Sequence, residues 1–488
     1  TPALAGLAAR GARFPRAYTV TPWTAPALVS IFTGLYPPTH GVVNRDDTTP
    51  KTLPTLPRLL GQNGYGLVSY GFFTEVSYYR NLGLPKPPID GAEVVGAGVL
   101  ASWLRSRPQG PFFAWIHFTE PHLPYGASGY EAATANVRGS TGLERSQISA
   151  TVPLGMGFTF EEGDREKLLA LYDADVVRMD AALGSVLDAL SASGLAEETL
   201  VVFTADHGEE LLEHGFVGHA STSGEAQLTS EVLGIPLVLA GPGVPAGLVS
   251  EALAQNVDVA PTVLALAGVP GDATMQGTSL VPALRGRPTK RDRLFFDTTP
   301  GGHLTPPERR LERLQGIGDG TRIHAERTGG PAQAADPIEP ALARELARWK
   351  RQQLSARLRV LKEHGGEVPP GEKAISGYAA TLEVESPRDG ERLGFRESGG
   401  TIRLAWRAPG AGAGGAAGPF WVEYSVGSGI LSARGLFPVE GRSLAFGPFP
   451  VAFWNDLATY SPFRFRVVDP ATRTRSAWQT FTVVASGS

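Results

Sequence analysis

Thr199–His219 reads TLVVFTADHGEELLEHGFVGH. Its first seven residues contain a continuous apolar run, as expected of a strand covered on both faces in an α/β sheet. Asp206 and His207 follow directly, at the carboxyl end of that strand, where open α/β sheets hold their ligands. A carboxylate beside an imidazole offers one hard and one borderline metal ligand, and Gly208 is expected to let the chain turn sharply. An isolated Asp-His pair would be read as a helix cap or a core histidine. Its company decides otherwise: five of the nine histidines fall in two short stretches, His117 and His122 in HFTEPHLPY and His207, His214 and His219 here.

Outward from this stretch, short apolar runs alternate with helical periods up to about residue 285. Gly66–Tyr70, Phe112–His117, Leu200–Thr204 and Pro236–Ala240 are the candidate strands, and the expected fold class is α/β with a mostly parallel sheet. Arg165–Ala192 is the clearest helix, with Leu168, Leu171, Ala174, Val177 and Leu183 near a 3.6-residue period. Pro54, Leu56, Leu59 and Leu60 mark a shorter one, ended by Gly61 to Gly64. Residues 341–364 form a basic amphipathic helix with Leu342, Leu346, Trp349, Leu354, Leu358 and Leu361 on one side, read as packing on the main domain rather than binding nucleic acid or membrane. GGEVPPGEKAISG, residues 365–377, reads as a linker. Beyond it, TLEVE, TIRLAW, FWVEYSV, FRFRVVD and FTVV alternate like the strands of a small β-sandwich, with Trp406, Trp421, Tyr424 and Trp478 read as core.

The second informative stretch is Thr21–Gly41, TPWTAPALVSIFTGLYPPTHG. Pro26 falls in the first turn of an expected helix that Gly34 ends, which puts Thr24 near the N-cap. On this segment alone Thr24 is a cap. A metal beside its hydroxyl would make it a nucleophile at a helix end that favours anions.

The 488 residues leave room for two or three domains. A net charge of -4 leaves no electrostatic footprint for nucleic acid or an anionic membrane. With no cysteine, thiolate catalysis, disulfides and Cys-ligated zinc are excluded. No apolar run approaches the roughly 20 residues of a membrane span, and no signal peptide is evident. The chain begins with Thr1 inside TPALAGLAAR, which already has helical spacing, so the expectation is a fragment missing its natural N-terminus.

Taken together, TPALAGLAARGARFPRAYTV, PWTAPALVSIFTGLYPPTHGV, PFFAWIHFTEPHLPY, YDADVVRMDAALGSVLDAL, TLVVFTADHGEELLEHGFVGH, IPLVLAGPGV and VDVAPTVLALAGVP resemble consecutive landmarks of the sulfatase family of the alkaline phosphatase superfamily, over roughly Thr1 to Leu284. DPIEPALARELARW resembles the family's closing segment. The resemblance implies an alkaline-phosphatase-like three-layer α/β/α sandwich at residues 1–364, with a subdomain from about 286 to 364, a linker at 365–379 and a fibronectin III or immunoglobulin-like β-sandwich at 380–488. It implies Thr24 as nucleophile, Asp206, His207 and Thr24 as metal ligands, and His122 and His219 against the substrate or leaving group. His117 is as readily structural as catalytic, His40 and His214 stand outside the site, and Glu209 and Glu210 are expected to cap a following helix.

The sulfatase C/S-x-P-x-R motif here reads Thr24-Ala25-Pro26-Ala27-Leu28, so the residue oxidised to formylglycine and the arginine are both replaced. This points to a Thr-nucleophile, phosphodiesterase-like member. The family's first acidic metal ligands lie upstream of the TP landmark, here Thr1-Pro2. The implied cofactor is one divalent metal ion (Mn, Zn, Mg or Ca), or two. The implied function is hydrolysis of phosphate, phosphonate or sulfate esters, on an anionic small molecule, a lipid head group or a glycan. The alternatives are a membrane-anchored phospho-head-group transferase and a catalytically silent sulfatase-like binding protein. The resemblance favours a periplasmic, extracellular or membrane-anchored setting, with any membrane contact made through an upstream segment. Residues 128–163 are expected to help shape the substrate pocket.

Overall fold

Continuous apolar runs and apolar residues at a 3.6-residue period take turns through the first 270 residues, and the described segments fold accordingly into short strands and helices. The computed structural model describes residues 1–43, 47, 49–70, 81–85, 93–106, 108–118, 120–122, 125, 163–214, 217–219, 228–299, 313–328, 339–364, 377–407, 420–426, 433–439, 441–446, 448, 451, 454, 458, 461–469 and 471–486. It divides into two compact units, one of residues 1–305, 314–326 and 335–366 and one of residues 306–313, 327–334 and 367–488.

The larger unit runs α1 (Pro2–Ala9), β1 (Gly11–Arg13), α2 (Thr24–Thr33), α3 (Leu56–Gln62), β2 (Gly66–Tyr70), α4 (Glu93–Arg105), β3 (Phe112–Ile116), α5 (Asp164–Ala192), β4 (Val201–Thr204), β5 (Glu210–Leu211), β6 (Val217–Gly218), β7 (Leu237–Ala240), β8 (Leu248–Val249), α6 (Val259–Leu266), β9 (Leu294–Thr298), β10 (Arg313–Gly318), β11 (Ile323–Thr328) and α7 (Pro340–Glu363). Side chains of β7 alternate between two apolar clusters. Leu237 and Leu239 join residues of α2, α3 and α6, while Val238 and Ala240 join residues of α1, α4 and α5. β3 does the same, with Phe113 and Trp115 on one side and Phe112, Ala114 and Ile116 on the other. Helices therefore cover both faces, and each fully buried Leu or Phe in these clusters contributes about 1.5–3 kcal/mol.

The pairing departs from the mostly parallel sheet expected. β2 and β3 are parallel, but in the four-stranded sheet β4-β7-β1-β8 the strand β7 runs antiparallel to both β4 and β1. A fully buried apolar strand reads the same in either direction, and only its connection sets its sense. A parallel return needs a crossover of a dozen residues or more, usually a helix. The described part of the β4–β7 connection holds only the β5–β6 hairpin and a single helical turn, Ser230–Leu233.

Two further contacts place the helices. Asp180 of α5, buried, accepts the backbone N–H groups of Ala3 and Leu4 at 3.0 and 2.9 Å. It thereby caps the first turn of α1 across 176 residues of sequence. α7 buries Leu346 and Trp349 against Val20, Tyr36 and Ile317. Leu354, assigned to the same side from the sequence, is exposed. Among the described residues no helix is long and apolar enough to cross a membrane.

The smaller unit contains β12 (Glu383–Ser386), β13 (Glu391–Gly394), β14 (Ile402–Arg407), β15 (Phe420–Val426), β16 (Ala433–Val439), β17 (Ser443–Phe446), β18 (Phe463–Asp469), β19 (Thr474–Arg475) and β20 (Gln479–Val484). They form one sheet ordered β12-β14-β17 and another ordered β13-β20-β18-β15-β16, with β19 paired to β18. Residues of both sheets share a core around Trp406, Trp454, Phe420 and Phe465. Trp406 is core as expected. Trp478 is not: it lies half-buried under the guanidinium groups of Arg464 and Arg466, 5.2 and 4.8 Å from its ring centroid. The side chains of Trp421 and Tyr424 fall outside the described set.

Candidate functional site

Thr24 is the first residue of α2, one position inside the cap expected for it, with Trp23 at the N-cap. A capping hydroxyl would accept a backbone N–H of the first turn. Among the described residues Thr24 Oγ1 meets no such group; it lies 3.2 Å from Nε2 of His207 instead. The hydroxyl is thus committed across 183 residues of sequence rather than to its own helix.

His207 arrives from the end of β4. Gly208 keeps an ordinary φ, so the sharp turn expected of it is not the reason it is glycine. A Cβ there would fall 2.0 Å from the Glu231 carbonyl oxygen, and the backbone could not approach so closely. His207 Nδ1 lies 2.9 Å from the Gly208 carbonyl oxygen. A carbonyl can only accept, so Nδ1 donates, and in the neutral ring Nε2 carries the lone pair. That lone pair is 3.4 Å from Asp206 Oδ2. Burial acts to raise the Asp206 pKa, but His207, His117, His219 and the hydrogen bond from Thr24 outweigh it and hold the carboxyl below its ordinary value. Carboxylate, imidazole nitrogen and hydroxyl oxygen thus converge with one hydroxyl proton among them. This donor set suits a divalent cation.

The loop beyond His207 corrects a sequence expectation. Glu209 and Glu210 cap no helix, because β5 follows and pairs with β6 in the register Glu210↔Gly218 and Leu211↔Val217. One more step along that ladder sets Glu209 across from His219. The Glu209 carboxylate accepts a short hydrogen bond from His219 Nδ1 on one oxygen and from the Tyr125 hydroxyl on the other. Burial would raise Glu209, yet the field and hydrogen bond of His219 keep it below its ordinary value. Burial drives the Tyr125 phenol well above its ordinary value, with Glu209 adding to the effect. Burial, with the neighbouring His207 adding to it, pushes His219 down to about 4 against the pull of Glu209. The ligand atoms of His207, Glu209 and His219 come within 4.8 Å of one another, but both Glu209 oxygens already accept protons. Glu209 is therefore a brace for His219 rather than a metal ligand.

His122 completes the cluster edge-on to His219, with ring centroids 4.9 Å apart, and His219 lies 4.1 Å from His207 by the same measure. All five residues singled out from the sequence (Thr24, His122, Asp206, His207 and His219) therefore meet in one place. His117 joins them as an electrostatic neighbour of Asp206. His40 is structural, with Nδ1 accepting Val42 N–H and Nε2 bonded to Ser30 Oγ. His214 stands apart on Glu210 at 3.0 Å. The site opens into a cavity of about 1040 Å³, whose apolar walls come from β3, β4 and the helices packed around them. Residues 128–163 lie outside the described set.

Glu209 was read from the sequence as a helix cap, and Tyr125 was given no role. The β5–β6 pairing, which sets residue 209 opposite 219, is what places Glu209. For Tyr125 no local signal exists.

The sequence profile described as Sulfatase matches residues 1–269. The low-salt glycan biosynthesis sulfotransferase Agl7 of Haloferax volcanii is 30% identical over 247 residues, covering 51% of this chain and 53% of that protein. The Delta 4,5-hexuronate-2-O-sulfatase of Bacteroides thetaiotaomicron is 24% identical over 364 residues, 64% of this chain and 75% of that one. The chain thus spans about half the length of the first of these relatives. The solved structure of the phosphonate monoester hydrolase SpPMH from Silicibacter pomeroyi superposes with a TM-score of 0.54 at 20% identity, over 76% of this chain and 93% of that one, a likeness of fold. With a profile match that spans more than half of its 488 residues, the chain belongs to the sulfatase family.

Proposed function

We propose that the protein is a metal-dependent hydrolase of sulfate or phosphonate esters in which Thr24 Oγ1 is the nucleophile. The observation that carries this reading is the Thr24 hydroxyl turned away from its own helix and onto His207, 3.2 Å away. Asp206, His207 and Thr24 would hold a divalent cation, which when bound would lower the pKa of the hydroxyl and draw charge from a non-bridging ester oxygen. Thr24 stands at the start of α2, where first-turn N–H groups and the helix dipole favour a tetrahedral anion.

Thr24 gives up its acidified Oγ1 proton to water; attack then forms a bond from Oγ1 to phosphorus or sulfur and breaks the bond to the leaving oxygen, which needs a proton of its own. His219, held by Glu209, and its neighbour His122 are the groups that deliver it. An arriving anionic ester opposes the downward shift of His219 and so loads it with that proton. Water then releases the esterified threonine. A phosphonate suits this route better than a sulfate, because a sulfated threonine is hard to clear once formed. The hexuronate sulfatase and the glycan-biosynthesis relative support an anionic glycan as the substrate class.

The test uses the full-length protein with aryl sulfate and phosphonate monoester substrates, with and without a chelator. Thr24→Ala is expected to lose at least about 10³-fold in kcat, as removal of a nucleophile does. Thr24→Ser should recover part of the loss. Intact mass after a quench should show a phosphoryl or sulfuryl adduct on wild type only. Full turnover by Thr24→Ala would discard the mechanism.

A further inference from the structure

We propose that a groove between α7 and the segment just before β9 binds an anionic glycan chain, at a second site sharing no lining residue with the Thr24 cavity. The groove encloses about 570 Å³. One wall is a single face of α7. Arg348, Arg351, Gln352, Ser355 and Arg359 all line it, and their spacing of three, four, seven and eleven residues puts them on one stripe. Arg348 and Arg359 stand about 16 Å apart along the helix. The opposite wall brings Lys290, Arg291 and Arg293.

The commitments of these cations separate structural from available charge. Arg291 is held by Asp258, and Arg293 by Glu345 at 3.3 Å. Lys290, Arg348, Arg351 and Arg359 are exposed, and no described residue forms an ion pair or hydrogen bond through their side chains. Asp292 is the sole acidic residue in the lining. A concentration of uncompensated positive charge on a chain of net charge -4 is a local feature, suited to an extended anion rather than to nonspecific association.

Glycan fits better than nucleic acid. Grooves for single strands offer aromatic faces on which bases stack. Here Phe295 and Trp349 are stacked on each other, 5.0 Å apart and 1° from parallel, and Trp349 is buried. What remains exposed between the arginines is amide and hydroxyl, Gln352 and Ser355, which suits sugar hydroxyls. Guanidinium groups pair with sulfate or carboxylate through parallel N–H bonds.

The inference stands apart from the Thr24 chemistry, since binding needs no turnover, and the experiment keeps the two separable. Binding of three fluorescent probes to the full-length protein is measured across a salt series: a heparin-derived hexasaccharide, an oligogalacturonate, and a single-stranded DNA oligonucleotide of equal charge. The expected result is salt-sensitive hexasaccharide binding, weakened at least tenfold by the triple change Arg348→Ala, Arg351→Ala, Arg359→Ala and unchanged in Thr24→Ala. Ser355→Glu, which adds negative charge to the same face and removes no arginine, is expected to weaken it as well. Oligogalacturonate binding as tightly as the hexasaccharide would assign the site to carboxylates and sulfates alike; weaker binding would assign it to sulfates. If the triple variant and Ser355→Glu both bind like wild type, or the oligonucleotide binds as tightly as the hexasaccharide, the proposal fails.

Discussion

Around Arg291 and around His207 the same unit buries polar groups in two opposite ways. The Arg291 guanidinium donates to Asp258 at 2.5 and 2.8 Å, to the Tyr36 hydroxyl at 2.9 Å and to Gln255 at 3.0 Å. Asp258 also accepts the backbone N–H groups of Gln255 and Thr278, at 2.8 and 2.6 Å. Protons and lone pairs there are matched. Around His207 they are not: one threonine proton faces an imidazole lone pair and a carboxylate. The first arrangement stabilises by being complete. The second holds ligand-binding capacity in reserve, and that excess of acceptors separates a site from a structural knot more surely than burial does.

This contrast can be broken most forcefully at Arg291. Arg291→Leu strands the buried Asp258 carboxylate and is expected to cost about 3–5 kcal/mol, read as a lowered midpoint in urea. Thr24→Ala should cost less than about 1 kcal/mol while removing turnover. Equal destabilisation by the two would show that the His207 cluster is structural as well. A middle-sized effect sharpens the role of the brace. Glu209→Gln should reduce kcat by roughly 10- to 100-fold, as loss of an orienting partner does. It should also move the His219 titration still lower, because the Glu209 charge is what opposes the burial of that ring. An unmoved His219 signal by NMR would mean that Glu209 does not hold it.

The smallest effect lies at His214. Its hydrogen bond to Glu210 raises its pKa above the ordinary value, while partial burial acts the other way. A raised folded value means that the stabilisation is fully present below the unfolded pKa of about 6.5 and is lost as pH rises through the folded one. His214→Ala should therefore remove a small stability increment at pH 6 and almost none at pH 9. A difference that grows with pH would reverse the sign and refute the assignment.

Legibility in the sequence followed the range of the interaction. The strand leading into Asp206 and the helix Asp164–Ala192 were readable because their apolar periods are local, and the observed bounds fall within two residues of those expected. Thr24, His122, Asp206, His207 and His219 were identifiable as chemistry because their residue types and flanking elements carry the information. The sense of β7 was not, since a buried strand has no direction in its composition. Glu209 was misread for a related reason: EELLEH has helical propensity, and the β5–β6 pairing that overrides it is a contact between two arms of a hairpin.

By itself the sequence determined the strand into Asp206, the long helix and the residues that could carry an ester-hydrolysing centre, because hydrophobic period, glycine and proline placement, and side-chain donor type act within a few residues. The tertiary structure alone decided the proton balance at His207, the brace from Glu209 and Tyr125, and the exposure of one arginine stripe of α7 beside Lys290. Each depends on groups tens to hundreds of residues apart brought within a few ångströms, and no local pattern encodes such a meeting.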